Sequence, residues 1–394
     1  IFPDEILRAL VMPLDRRERV RLVYQLRESL SVVPNAQEAA RMLIDTVSAV
    51  RDAANPEEER LPLFVVEDPR VTYARVDHPG DEPPPLRNVV DVAVLDMHHG
   101  FPNLGHASVV DRLMRFAVEE RRALGAGAPA VRVVSFDVRR GLAVPSGAGR
   151  FALVVGTGGP GALDPRANDG VSPHAQGIRE DPSWEAPLWR FFDTLLAHPA
   201  TAFLGICHTF GLLARWAGFG EAAARPESKG KSAGVVENVL TPEAAAHPFF
   251  RGLRAAAGGE RIQVLDSRLF DILPTGRGHG LVLAHETGPD GGPGEAVTMA
   301  ELARFADGTP RIWAVNHHPE IGDAGEQRAR LLRIADSRQL SEEWLGERMR
   351  ALEAWTASAS AERRLQITSS FTLEAPVRAA LSRALRERRE ALAG

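Results

Sequence analysis

One cysteine occurs in the 394 residues, at position 207 in the stretch TAFLGICHTFGLLARWAG. An apolar run ends abruptly there and a helix can begin at the next residue. The side chain would then stand between the carboxyl end of a strand and the amino end of a helix. The helix dipole and the free N–H groups at such a junction stabilise a thiolate, and a sharp turn keeps the sulfur accessible. Gly205 leaves room for the tight turn of a nucleophile elbow. Taken alone, Gly-x-Cys in an apolar segment favours a packed thiol. Two other stretches reverse that weighting.

In VNHHPE, His318 and Glu320 are two residues apart, so in an extended segment both side chains share one face. A carboxylate that holds an imidazole, which in turn takes a thiol proton, is what a cysteine nucleophile requires. His317 falls on the opposite side of such a segment and reads as structural. In VVGTGGPGALDP, residues 154 to 165, the glycines let backbone N–H groups approach a developing oxyanion without side-chain interference.

The elements that must position these residues alternate. VVDVAVLD (89–96), VRVVSFD (131–137), FALVVG (151–156), TAFLGI (201–206), GLVLAHE (280–286) and IWAVNHH (312–318) are expected to be buried strands. Helices are expected in ASVVDRLMRFAVEERRAL, PLWRFFDTLLAHP and HTFGLLARWAG between them. The alternation predicts an α/β fold with a mostly parallel open sheet and helices on both faces. MAELARFADGTPRIWAVNHH has an Asp-Gly turn between two strand-like runs and predicts a hairpin. The first 54 residues read as helical, a proline-rich segment follows, and a boundary is set near residue 86. After about residue 323 the chain reads as helical again. The expected organisation is a helical N-terminal extension with linker over 1–86, the α/β domain over 87–323 and a helical C-terminal extension over 324–394.

With these motifs in order, the sequence resembles the class I glutamine amidotransferase domain, the Cys-His-Glu triad family, over roughly residues 88 to 322. Gly158, Gly159, Pro160 and Gly161 match the family's Gly-Gly-Pro-Gly loop. Gly205, Ile206 and Cys207 match its Gly-x-Cys elbow, and His318, Pro319 and Glu320 match its His-Pro-Glu motif. The resemblance implies a flavodoxin-like sheet with Cys207 as nucleophile, His318 as base and Glu320 as its orienting acid. It also implies an oxyanion hole from Gly158, Gly159 and His208. The implied reaction is hydrolysis of the glutamine side-chain amide through a thioester, with ammonia passed to a separate synthetase or acceptor protein.

The elbow departs from the family's usual Cys-Leu-Gly-His-Gln, because His208, Thr209, Phe210 and Gly211 follow the cysteine. That change alters the pocket expected to hold the substrate amino acid. A Cys-His elbow also resembles the PfpI-like thiol hydrolases and glyoxalase-like proteins, so a second expectation is a thiol hydrolase acting on another amide, a γ-glutamyl compound or a peptide. A third keeps the fold as a non-catalytic binding module with the helical ends as its interface.

Thr209, His98 and His99 are the candidate substrate contacts. The two histidines follow the first strand at its carboxyl end, where ligands bind in open α/β sheets; exposed loop histidines are the equal alternative. Asp164 and Asn168 read as turn formers, and Lys229 and Lys231, the only lysines, as a solvated loop. No metal-ligand spacing and no ATP-binding loop occurs, so no metal and no cofactor are expected. A net charge of −5 without a dense basic block excludes a nucleic-acid footprint. No apolar run approaches the roughly 18 residues of a membrane span. With no disulfide possible within the chain, a cytoplasmic protein is expected, and a homodimer is the commonest assembly.

Overall fold

The computed structural model describes residues 68–101, 104–225, 231–321 and 359–393, with 346, 349–350 and 353 singly. The chain divides into two units, residues 1–61 with 330–345 and residues 62–329 with 346–394; every described residue belongs to the second. The helices expected over the first 54 residues, the one expected over 326–336, most of the one expected over 341–355, and Lys229 lie outside the described residues.

In chain order the strands are β1 (Val71–Val76), β2 (Val89–Asp96), β3 (Ala130–Asp137), β4 (Phe151–Gly156), β5 (Ala202–Ile206), β6 (Gly220–Ala224), β7 (Ser232–Leu240), β8 (Arg261–Arg268), β9 (Phe270–Pro274), β10 (Leu281–Thr287), β11 (Pro293–Arg304) and β12 (Pro310–Val315). The helices are α1 (Leu104–Leu124), α2 (Glu185–Ala197), α3 (His208–Ala217), α4 (Pro242–Ala246), α5 (Arg251–Ala257), α6 (Ala359–Ser369) and α7 (Ala375–Ala393). A π-helical turn, Ser370–Glu374, joins the last two.

Among the described residues one ten-stranded sheet runs β1-β3-β2-β4-β5-β12-β11-β10-β7-β8, and β6 pairs with β9 in a separate ribbon. The first six strands are parallel and the last four antiparallel. The fold is therefore α/β with a mixed, mostly parallel open sheet. β1 precedes the boundary expected near residue 86 and pairs with β3 along the sheet edge. The hairpin expected around Asp307-Gly308 joins β11 to β12, closed by Phe305 N–H donating to Thr309 O at 2.9 Å.

β2, β5 and β12 are buried at every position, as strands covered on both faces must be, and apart from Asp91, Asp96 and Arg311 their side chains are apolar. One face packs Val92, Val94, Leu204 and Trp313 against Leu113 of α1 and Val377, Leu381 and Leu385 of α7. The other packs Leu95, Val154, Phe203 and Ala314 against Leu188 and Phe192 of α2 and Phe210 and Leu213 of α3. In the central register Gly156 lies opposite Gly205, and Ile206 opposite Val315. β4, β5 and β12 thus end side by side, and the three segments with chemical potential leave the sheet at one edge.

Candidate active site

Cys207 is the residue between β5 and α3. Its backbone sits at φ 49° and ψ −99°, a region that costs a non-glycine residue about 1–3 kcal/mol and persists only where surrounding packing enforces it. The enforcement is visible. Ile206 is buried in the sheet, Phe210, Leu212 and Leu213 anchor α3 beneath it, and Cys207 N–H donates to Val315 O at 2.8 Å. The thiol is half-buried at the first turn of α3, where backbone N–H groups have no acceptor within the helix.

β12 stops at Val315, so His318 and Glu320 do not share an extended strand; they lie in the turn that follows. His318 N–H donates to Leu265 O of β8 at 2.8 Å. The turn still brings the two side chains together, with His318 Nδ1 2.8 Å from Glu320 Oε1. A carboxylate only accepts, so Nδ1 carries the proton and Nε2 is left for the hydrogen bond between the imidazole and Cys207. Burial opposes charging the His318 ring, yet the Glu320 carboxylate and the Cys207 side chain hold its pKa well above the ordinary value. Glu320 is itself buried, and its carbonyl accepts from Arg112 Nε at 2.9 Å.

The glycine loop closes the other side. A Cβ on Gly158 would stand 2.9 Å from His318 Cε1 and 3.5 Å from Cys207 Cβ, so the backbone here runs against both side chains. The loop is clamped from below by Arg139, wholly buried, whose Nη1 donates to Met97 O at 2.8 Å and Pro160 O at 2.7 Å. Glu180 pairs with the same guanidinium through both oxygens and accepts from Asn168 Nδ2 and Trp184 Nε1. Asn168 in turn holds Ala162 by both its N–H and its carbonyl. Nothing in the spacing of Arg139, Glu180 or Asn168 distinguished them as the frame of this loop; a buried arginine is recognisable only once its partners are in place.

His208 opens α3, its ring is buried in hydrogen-bonding contact with the Gly159 backbone, and burial followed by the charge of Arg139 keeps it neutral. Its Nε2 has no hydrogen-bond partner among the described residues. Thr209 is wholly buried and its hydroxyl donates to Thr157 O at 2.8 Å, so it ties α3 to the glycine loop. His98 is buried too, its Nδ1 3.1 Å from Asp96 Oδ1, at the end of a network in which Arg75 bridges Asp96 and Asp137. His99 is half-buried, at φ 54°, with burial and then Arg139 lowering its pKa. Asp164 accepts from Arg166 N–H in an exposed turn. His317 is buried on the far side of the segment from His318, and burial brings its pKa down to about 3.

The altered elbow has a structural counterpart. A Cβ on Gly211 would lie 2.4 Å from Leu163 Cδ1; the leucine, 6% exposed, fills the space that a side chain four residues after Cys207 would need. Among the described residues no group of three or more His, Cys, Asp or Glu side chains is placed to hold a metal ion, and no helix is long and apolar enough to cross a membrane.

No protein-family model and no curated protein matches the chain. Solved structures do. A glutamine amidotransferase from Thermotoga maritima is 16% identical, with 76% of this chain and 98% of that one covered at a TM-score of 0.41. A glutamine amidotransferase from Methylobacillus flagellatus is 14% identical, with 77% and 94% covered at 0.39. The glutaminase domain of CTPS from Trypanosoma brucei is 10% identical, with 64% and 95% covered at 0.36. The chain is structurally similar, at low identity, to class I glutamine amidotransferase domains.

Proposed function

We propose that the protein hydrolyses a carboxamide through a cysteine thioester, in the manner of the glutamine amidotransferases. The observation that carries this reading is the hydrogen-bonded series Cys207, His318, Glu320 at the carboxyl ends of β5 and β12. A protonated imidazole beside the sulfur favours the thiolate. The sulfur attacks the carbonyl carbon, and the oxygen takes up the negative charge towards the N–H groups of Gly158, Gly159 and His208. His318 gives its proton to the amide nitrogen as the C–N bond breaks and ammonia leaves. Water then loses a proton to His318 and attacks the thioester; the C–S bond breaks, the acid departs, and the thiolate is restored. Ammonia then passes to an acceptor on a separate protein.

Free glutamine is the first substrate to test. Leu163 packed over Gly211 favours a second reading, in which an apolar wall meets the acyl chain and the substrate is another amide, a γ-glutamyl compound or a peptide. Ammonia release from glutamine and from a panel of amides separates these. In either case Cys207→Ala lowers the rate by about 10³-fold or more. Amide turnover that survives Cys207→Ala would refute both readings.

A further inference from the structure

Pro376, the second residue of α7, has no N–H to give. In an α-helix that N–H would go to the carbonyl four residues back, which belongs to Thr372. The chain instead passes through the π-helical turn, and the Thr372 carbonyl accepts from Trp313 Nε1 of β12 at 2.9 Å. Turns of this kind recur at functional sites. This one lies against the segment that carries the proposed base.

Two hydroxyls of the same turn of chain grip that segment. Ser369 Oγ donates to Pro319 O at 2.6 Å. Thr372 Oγ1 donates to Thr368 O at 2.8 Å, which leaves its oxygen to accept, and His317 Nε2 lies 3.4 Å away. With the Thr372 proton already given to Thr368, the contact requires the His317 Nε2–H tautomer, which donates to Thr372 Oγ1. The residues immediately before and after His318 are therefore each held by a side chain from one helical turn, while His318 N–H is held by Leu265.

We infer that Ser369 and Thr372 are positioning residues for His318, fixing the chain on either side of it so that the imidazole stays between Glu320 and Cys207. This rests on Cys207 and His318 acting as a nucleophile–base pair. The titratable groups that act on His318 are Glu320, Cys207, Asp266 of β8 and His317, with Arg268 acting on His317 in turn. No charged side chain of α6, α7 or the π-helical turn is among them, so a hydroxyl-deleting variant leaves that set of charges unchanged.

The test uses the single cysteine, whose carbamidomethylation by iodoacetamide is followed at Cys207 itself by peptide mass spectrometry. Rates are measured against pH for the wild type, Ser369→Ala/Thr372→Val, Thr372→Val and Thr372→Ser. In the wild type, reaction persists at about pH 6, where an unpaired thiol is nearly silent. The double variant loses about 10-fold of that acid-limb rate, the equivalent of two ordinary hydrogen bonds, and keeps its rate at about pH 9. Thr372→Ser retains the acid limb. A double variant with an unchanged limb, or a Thr372→Ser variant as impaired as Thr372→Val, overturns the positioning role alone. A wild type without the limb overturns the nucleophile–base pair as well. If the double variant does not fold, Ser369→Ala and Thr372→Val are read singly by the same criteria.

Discussion

At Gly158 a Cβ would press on the ring of His318 and on the Cβ of Cys207, so the residue is a glycine for the sake of its neighbours. Gly158→Ala pushes the imidazole off the line between Glu320 and the sulfur. A displacement of well under 1 Å lowers kcat for amide hydrolysis by about 10–100-fold. The surrounding fold has no reason to change, since a side-chain contact and no main-chain atom is the nearest obstacle. Steady-state kinetics beside a thermal unfolding curve checks both halves. That Cys207, His318 and Glu320 come together could be anticipated from the sequence, because their types and order match what a cysteine nucleophile would require. Leu163, Arg139 and Ser369 could not, because each acts through a neighbour distant in sequence.

At the scale of an element, the end of β12 sorts two adjacent histidines into opposite electrostatic roles. His317 faces the helical layer and is neutral, its pKa lowered to about 3 by burial. Its folded value lies below the unfolded value near 6.5, so the stability it contributes is present above about pH 6.5 and is lost as the pH falls towards 3. His318 has a raised folded pKa; its contribution is fully present below about pH 6.5 and is lost as the pH rises through that folded value. His317→Gln removes the first effect and leaves the second. Urea midpoints measured against pH should therefore fall less steeply in the variant between about pH 6.5 and 4, with an unchanged slope on the alkaline side. Buried His208, also lowered, preserves part of the acid slope. An identical acid slope in both proteins would contradict the assignment. Periodicity placed the start of this strand well but carried it to residue 318, three residues beyond its end at Val315, because Asn316, His317 and His318 carry no breaker.

Across the whole described unit, one face of the sheet is completed from the far end of the chain. Val377, Leu381 and Leu385 of α7 pack against β2 and β4, and Arg378 reaches Glu119 and Glu120 of α1. The ion pairs, half-buried and still open to solvent, add little, whereas the apolar contact is central. Leu381→Ala should destabilise by about 2–5 kcal/mol, as removal of a wholly buried leucine does, measurable as a lower urea midpoint with an unchanged slope. A loss within about 0.5 kcal/mol, typical of surface sites, would show that α7 does not close the core. The parallel half of the sheet was legible because β4 and β5 are continuous apolar runs and β2 is interrupted only by Asp91 before its terminal Asp96. β7, β8 and β9 mix Glu237, Asn238, Gln263, Asp266, Arg268 and Asp271 into their length, since one of their faces is only partly covered, and β1 stands at an open edge; no unbroken apolar run marked them. By itself the sequence determined which residues carry chemical potential and the kind of sheet that would carry them, because residue type and local periodicity are properties of the chain. Only the tertiary structure decided that β4, β5 and β12 are neighbours ending at one edge, that Leu163 occupies the space beside the elbow, and that α6 and the π-helical turn grip the segment of His318. Those are contacts between residues about 50 to 110 positions apart, settled by how the sheet orders its strands.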